Sequence, residues 1–163
     1  MHPSEKIAAS LEDLKIRCDS IRESGKTIVL TSGCFDLLHG GHVEYVWDAG
    51  ERGFLVVGIN SDVSVRKLKG KSRPARGQED RAKVMACMYS VALVAIFDCD
   101  YALIEAVKPK IYVASSTSHV RVWDDSRRIV LLEKLGTEIV ELGGKKEDST
   151  TNIIARITRM TKS

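Results

Sequence analysis

The sequence predicts an α/β fold: a single doubly wound domain on a five-stranded parallel sheet. Three observations predict it. Short apolar runs alternate five times with segments of helical periodicity along the 163 residues, the pattern of βαβ units. The apolar runs are continuous and β-branched, which marks strands buried on both faces. The segments rich in glycine, histidine and lysine each follow a strand, where such sheets bind ligands.

The elements follow in order. Ile7, Leu11, Leu14, Cys18 and Ile21 recur at helical spacing, and Gly25 stops that helix. Residues 27–31 are the first strand. Residues 32–41 carry three glycines, and 42–52 read as a helix ended by Gly53. Residues 54–59 are the second strand, and Ser61 or Asp62 caps a further helix. Residues 67–77, basic and holding Gly70, Pro74 and Gly77, read as a loop. Residues 79–89 are helical and 91–97 form the third strand. A short helix over 101–107 is stopped by Pro109, and 111–114 form the fourth strand. Residues 123–135 read as one helix ended by Gly136, with Trp47 and Trp123 as packing residues. Residues 137–142 are the fifth strand and 143–148 a polar loop. Ser149 or Thr150 then caps a last helix through Met160. The order is Rossmann-like, with residues 1–25 as a leading helix and 27–160 as the catalytic core.

Composition narrows the function. Hydrophobic residues at 44% and charged residues at 29% are a globular balance that excludes disorder. A net charge of +3 is too small to read as a nucleic-acid binder, and no aromatic-rich platform for single strands is present. Cys18, Cys34, Cys87 and Cys99 have no C-x-x-C spacing, which removes a zinc knuckle and a redox pair. Residues 1–10 hold no apolar signal core, and no apolar run is long enough to span a bilayer. The expectation is a cytoplasmic protein with free thiols and neither nucleic acid nor membrane as partner.

The chemistry concentrates in Gly33-Cys34-Phe35-Asp36-Leu37-Leu38-His39-Gly40-Gly41-His42. A buried strand feeds a glycine-containing turn, and a helix starts near Gly41. Free N–H groups at a helix start attract phosphate. His39 and His42 flank that start, three residues apart, and can point at one anion. Donors placed there stabilise charge that builds on a phosphoryl group under attack. No carboxylate or cysteine constellation completes a metal site around the two histidines, so no protein-held metal is expected.

The stretch Thr31-Ser32-Gly33-Cys34-Phe35-Asp36-Leu37-Leu38-His39-Gly40-Gly41-His42 resembles the T-x-G-x-F-D-x-x-H-x-G-H signature of the cytidylyltransferase-like nucleotidyltransferase superfamily. The resemblance implies that His39 and His42 are catalytic and stabilise the pentavalent α-phosphate. It implies a nucleotide pocket shaped by Thr31, Gly33, Cys34, Phe35, Asp36 and Gly41. Mg²⁺ enters on the NTP phosphates. Direct in-line transfer needs no covalent nucleophile, so Cys34 reads as a small packing residue.

Arg66, Lys67, Lys69, Lys71, Arg73, Arg76, Arg81 and Lys83 crowd the stretch after the second strand. Placed at the same sheet edge as the histidines, such cations can hold the phosphates of two anionic substrates. Asn60-Ser61-Asp62-x-Ser64-Val65-x-x-Leu68-Lys69-Gly70-x-x-Arg73-Pro74 is similar to the corresponding segment of bacterial heptose 1-phosphate adenylyltransferases, which make ADP-heptose. By that resemblance Lys69 and Arg73 contact substrate phosphate, Lys69 also counts as catalytic, and Arg81 contacts the nucleotide. Near the end of the chain Ser149, Thr150 and Thr151 match a Ser-Thr motif that touches the triphosphate in the family.

One segment departs from the adenylyltransferase group. Where those proteins have K-G-G-D-Y, this chain has Ala114-Ser115-Ser116-Thr117-Ser118-His119. His119 reads as structural or solvent-exposed. The departure leaves the acceptor open. ATP with a sugar phosphate such as heptose 1-phosphate is the first reading. CTP with glycerol 3-phosphate or another phospho-alcohol is the second, and a nucleotide-binding module without turnover the third. A homodimer is the assembly the resemblance suggests.

Overall fold

The structure is a computed structural model that describes residues 2–116, 122–143 and 149–161. Its strands are β1 (Ile28–Gly33), β2 (Phe54–Asn60), β3 (Val91–Phe97), β4 (Ile111–Ser115) and β5 (Glu138–Leu142). Its helices are α1 (Leu11–Glu23), α2 (Gly40–Gly50), α3 (Asp62–Lys69), α4 (Gln78–Ala86), α5 (Asp100–Val107), α6 (Ser126–Lys134) and α7 (Thr150–Met160). All strand pairs are parallel, in the order β3-β2-β1-β4-β5. The order reverses between β1 and β4, so the ligand crevice belongs above their carboxyl ends.

Side-chain alternation divides the core between the two sheet faces. Val29, Leu55, Val57, Val94 and Val113 face α2 and α4, where Val46, Ala49, Ala82, Met85 and Ala86 close over them. Leu30, Val56, Leu93 and Tyr112 face α1, α5 and α6 through Leu14, Cys18, Leu103, Ile104, Val107 and Leu132. Each buried Val, Leu or Ile contributes about 1.5–3 kcal/mol, which holds two helical layers firmly under the crevice.

Several local expectations need correction. Ile7 is not on a helix. It is extended and bridges Val94 at the edge of β3, and the Ala8 N–H donates to the Val94 carbonyl. Ser10 starts α1 instead, because its side chain accepts the Asp13 N–H while Asp13 accepts the Ala9 N–H. The basic stretch is not all loop: α3 continues through Lys69 until Gly70, at φ 93°, ends it. The 123–135 run is broken, with a 3₁₀ turn over Val122–Asp124 and then α6, which Asp125 caps through the Arg127 and Arg128 amides. Trp47 packs as expected, stacked on Tyr89, while both it and Trp123 are half exposed. Among the described residues no helix is long and apolar enough to cross a membrane.

Candidate active site

The crevice opens because β1 and β4 part company. Their pairing stops at Leu30 and Tyr112, although β1 runs on to Gly33 and β4 to Ser115. Splitting two strands strips partners from backbone carbonyls, which must be satisfied another way. The Thr31 hydroxyl supplies one donor to the Val113 carbonyl at 2.9 Å and Tyr45 supplies another at 3.0 Å, the two hydroxyls 2.5 Å apart. Burial drives the Tyr45 hydroxyl far above its ordinary range, to beyond any physiological titration. Thr31 is wholly buried in this arrangement. Its hydroxyl therefore props the split, engaged by Tyr45 and the Val113 carbonyl, where the motif suggests a nucleotide contact. No motif marks Tyr45; its sequence signal is its place one helical turn after His42.

Above the split lies the histidine turn. His39 is the N-cap of α2 but its side chain makes no capping bond. Only His42 and Val43 return their amides to the His39 carbonyl, so the helix start faces outward with its remaining N–H groups, as helix geometry requires. The His39 and His42 rings lie 4.0 Å apart, centroid to centroid. The Nδ1 atoms of both are buried with no hydrogen-bond partner among the described residues. Gly41 permits this, since a Cβ there would press on the His39 ring at 3.3 Å. Burial, reinforced by the nearby charges of His39 and Lys69, lowers the His42 pKa to about 4. His42 is thus a neutral N–H donor at neutral pH.

Phe35 holds the turn in shape. It sits at φ 43°, unusual for a bulky residue, with its ring edge-on to His42 at 5.5 Å. Gly33 makes room for it, because a Cβ there would come 3.0 Å from the Phe35 ring. The Cys34 thiol points at the Asn60 side chain, 3.8 Å away, and burial raises its pKa against the pull of Lys69, Arg81 and Arg73. That suits a packing residue and not a nucleophile.

Asp36 organises the basic loop. Its carboxylate is buried and accepts the Ala75 and Arg76 amides at 2.9 and 3.0 Å, with Arg73 Nε at 2.7 Å. Burial opposes its charge, but those amides and Arg73 outweigh it and hold the carboxyl below its ordinary pKa. Asp36 therefore ties the loop to the glycine turn. Arg73 lies at the site with its guanidinium engaged by this carboxylate. Lys69, at the exposed end of α3, acts electrostatically on both His42 and Cys34.

Arg81 is likewise engaged in the frame. Its side chain is 0% exposed, and its guanidinium donates to the carbonyls of Arg76, Cys34 and Asn60 and to the Asp62 carboxylate. It clamps the turn after β1 to β2, α3 and α4, and its guanidinium is buried in those bonds where the resemblance implies a nucleotide contact. At the other end of the chain, Ser149 caps α7 through the Asn152 amide, and the Thr150 hydroxyl donates to the Leu37 carbonyl at 3.2 Å. That bond sets the start of α7 beside the histidine turn, with Thr151 exposed next to it. Ala114, Ser115 and Ser116 close the upper end of β4, where the Ser116 amide bonds the Leu142 carbonyl. Thr117, Ser118, His119 and residues 144–148 lie outside the described residues. Among the described residues no three His, Cys, Asp or Glu side chains gather to hold a metal ion.

The profile of the cytidylyltransferase-like family matches residues 30–156, which include the histidine turn, the basic loop and the start of α7. The chain belongs to that family. It is 38% identical over 158 residues to the bifunctional protein HldE of Nitratiruptor sp., across 95% of this chain and 33% of that protein. It is 41% identical over 153 residues to the bifunctional protein HldE of Syntrophotalea carbinolica, across 90% of this chain and 30% of the relative. The chain thus spans about a third of the length of the relatives it matches. In fold it is similar to the lipopolysaccharide core biosynthesis protein of Thermoplasma volcanium, with a TM-score of 0.62 at 24% identity over 76% of this chain and 100% of that one. Pantoate-beta-alanine ligase of Francisella tularensis shares the fold at a TM-score of 0.59 and 12% identity, over 96% of this chain and 79% of that one. The nucleotidyltransferase fold expected from the family signature is the fold of this chain.

Proposed function

We propose that this chain transfers a nucleoside monophosphate from an NTP, ATP in the first instance, to a sugar phosphate of the heptose 1-phosphate type. An acceptor phosphate oxygen attacks the α-phosphorus, the new P–O bond forms, and the bond to the β-phosphate breaks to release pyrophosphate. His39 and His42 donate to the α-phosphate oxygens as negative charge grows there, aided by the amides at the start of α2. His42 does so as a neutral imidazole, so no proton leaves it. Lys69 neutralises phosphate from the mouth of the site, and Arg73 adds charge while anchored by Asp36. Ser149, Thr150 and Thr151 meet the triphosphate tail at the start of α7, where the helix end favours an anion. The triphosphate enters as its Mg²⁺ complex, in which the ion shields phosphate charge and is held by the phosphate oxygens.

One observation carries the reading: two imidazoles in contact at a helix start with no side-chain cap, each with a buried ring nitrogen that has no partner among the described residues. Buried polar atoms left so are rare and call for a partner, which phosphate oxygens would supply here. The experiment is pyrophosphate release with Mg²⁺, pairing ATP, CTP, GTP and UTP with heptose 1-phosphate, other sugar 1-phosphates, glycerol 3-phosphate, phosphocholine and FMN. Release with ATP and a sugar 1-phosphate is expected. Release with CTP and a phospho-alcohol alone would replace both substrates, and NTP binding without turnover on any acceptor would remove the reaction.

A further inference from the structure

The strand split has a second wall, on the sheet face away from α2. Ser32 and Tyr112 lie there with hydroxyl oxygens 3.3 Å apart. Asp100 opens α5 and Arg128 lies in the first turn of α6. Both helices follow strands, so both begin at the carboxyl edge of the sheet. Arg128 Nη2 donates to the Asp100 carboxylate. Burial raises the Tyr112 hydroxyl pKa, the Ser32 bond opposes that, and the charges of Arg128 and Asp100 both act on it. Tyr112 packs in one core cluster with Leu103 and Ile104 of α5 and Leu132 of α6, which brings the Ser32–Tyr112 and Asp100–Arg128 pairs to the same side of the crevice.

The second pair is incomplete. The Arg128 side chain is only 8% exposed, and its Nε is buried with no hydrogen-bond partner among the described residues. The frame around it is otherwise satisfied: Tyr101 donates to Asp125, which accepts the Arg127 and Arg128 amides. The charge of Arg128 is balanced by Asp100, so an anion gains little here, in contrast with the basic wall around Lys69. A neutral hydroxyl group fits both needs. One such hydroxyl accepts from Nε–H and donates to the Asp100 carboxylate, and its neighbour on the ring donates to the Ser32 oxygen.

We propose that Ser32, Asp100 and Arg128 form a subsite for sugar hydroxyls, gripping a ring while its phosphates lie on the α2 side. The ring is the ribose of the nucleotide or the sugar of the acceptor, and the inference rests on the nucleotidyl-transfer reading above. The test compares wild type with Ser32→Ala, Asp100→Asn and Arg128→Gln on four ligands: ATP, 2′-deoxy- or 3′-deoxy-ATP, a sugar 1-phosphate and its deoxy analogue. Asp100→Asn and Arg128→Gln should weaken the fully hydroxylated ligand about tenfold or more, the size of a lost hydrogen bond to a charged group, and Ser32→Ala by about 2- to 10-fold, the size of a neutral one, in KM rather than kcat. The analogue lacking the gripped hydroxyl should bind wild type and variants alike. Coupling to deoxy-ATP assigns ribose, and coupling to the deoxy sugar assigns the acceptor. Ser32→Ala guards against misfolding, since among the described residues that half-buried hydroxyl bonds only Tyr112. Calorimetric titration of the same ligands reads the subsite even in a chain without turnover, which separates its failure from that of the reaction. Parallel losses on full and deoxy ligands, or wild-type affinities in Ser32→Ala throughout, would overturn it.

Discussion

Arg73 and Asp36, 37 positions apart in the chain, meet with Nε and Nη2 of the arginine each 2.7 Å from one carboxylate oxygen. The same carboxylate carries the Ala75 and Arg76 amides. Asp36→Asn should therefore loosen the basic loop as well as remove a charge. Breaking a buried pair by removing one partner costs about 3–5 kcal/mol, and the part-exposed Arg73 puts this variant at the lower end. Chemical denaturation should show that loss, with a rise in KM for the acceptor. Unchanged stability would mean that the loop holds its shape without Asp36.

The two cations of this region should separate cleanly. Arg81→Met leaves three carbonyls and the Asp62 carboxylate without their shared donor, and should cost about 3–5 kcal/mol of stability. Lys69→Ala removes an exposed charge and should leave stability within about 0.5 kcal/mol, while kcat/KM falls by roughly tenfold or more, as for a lost charged contact. Thermal melts beside kinetics read both. A stable, slow Arg81→Met enzyme would restore that residue to the phosphate site.

The contrast shows what the sequence makes legible. The five strands and the H-x-G-H turn are local patterns, each read within a dozen residues, and they appear where expected. The framework bonds of Thr31 and Arg81 are not legible because their partners are remote: Val113 lies 82 positions from Thr31, and Cys34 lies 47 from Arg81. A motif records that a residue type recurs beside a site. It does not say whether the side chain turns toward the ligand or into the frame. The split of β1 from β4 is invisible in periodicity for the same reason, since it depends on the register of two strands about 80 residues apart.

Thr150 links the two ends of the fold through the Leu37 carbonyl. Thr150→Val keeps the shape and deletes the donor, so α7 should drift from the histidine turn. A net hydrogen bond contributes about 0.5–1.5 kcal/mol, which corresponds to a 2- to 10-fold rise in the Kd for NTP by the usual conversion. Thr150→Ser should restore binding. If valine binds NTP as tightly as threonine does, the bond has no bearing on the site.

His42 yields the sharpest prediction, because its burial has a thermodynamic signature independent of activity. Its pKa is about 4 when folded against 6.5 unfolded. Between those values the unfolded chain binds more protons, so stability falls as pH falls from 6.5 toward 4 and is fully present above 6.5. Partial exposure discounts the effect, to on the order of 2 kcal/mol. Denaturation at pH 7 and pH 4.5 should show wild type losing more stability than His42→Asn, which has no such group to protonate. His42→Ala should in addition lose about 2.7–4 kcal/mol of transition-state stabilisation, the size of one key donor to a developing oxyanion, with NTP affinity little changed. An equal acid loss in wild type and His42→Asn would show that the imidazole is not held neutral by burial. Wild-type turnover in His42→Ala would show that it does not face the reacting phosphate.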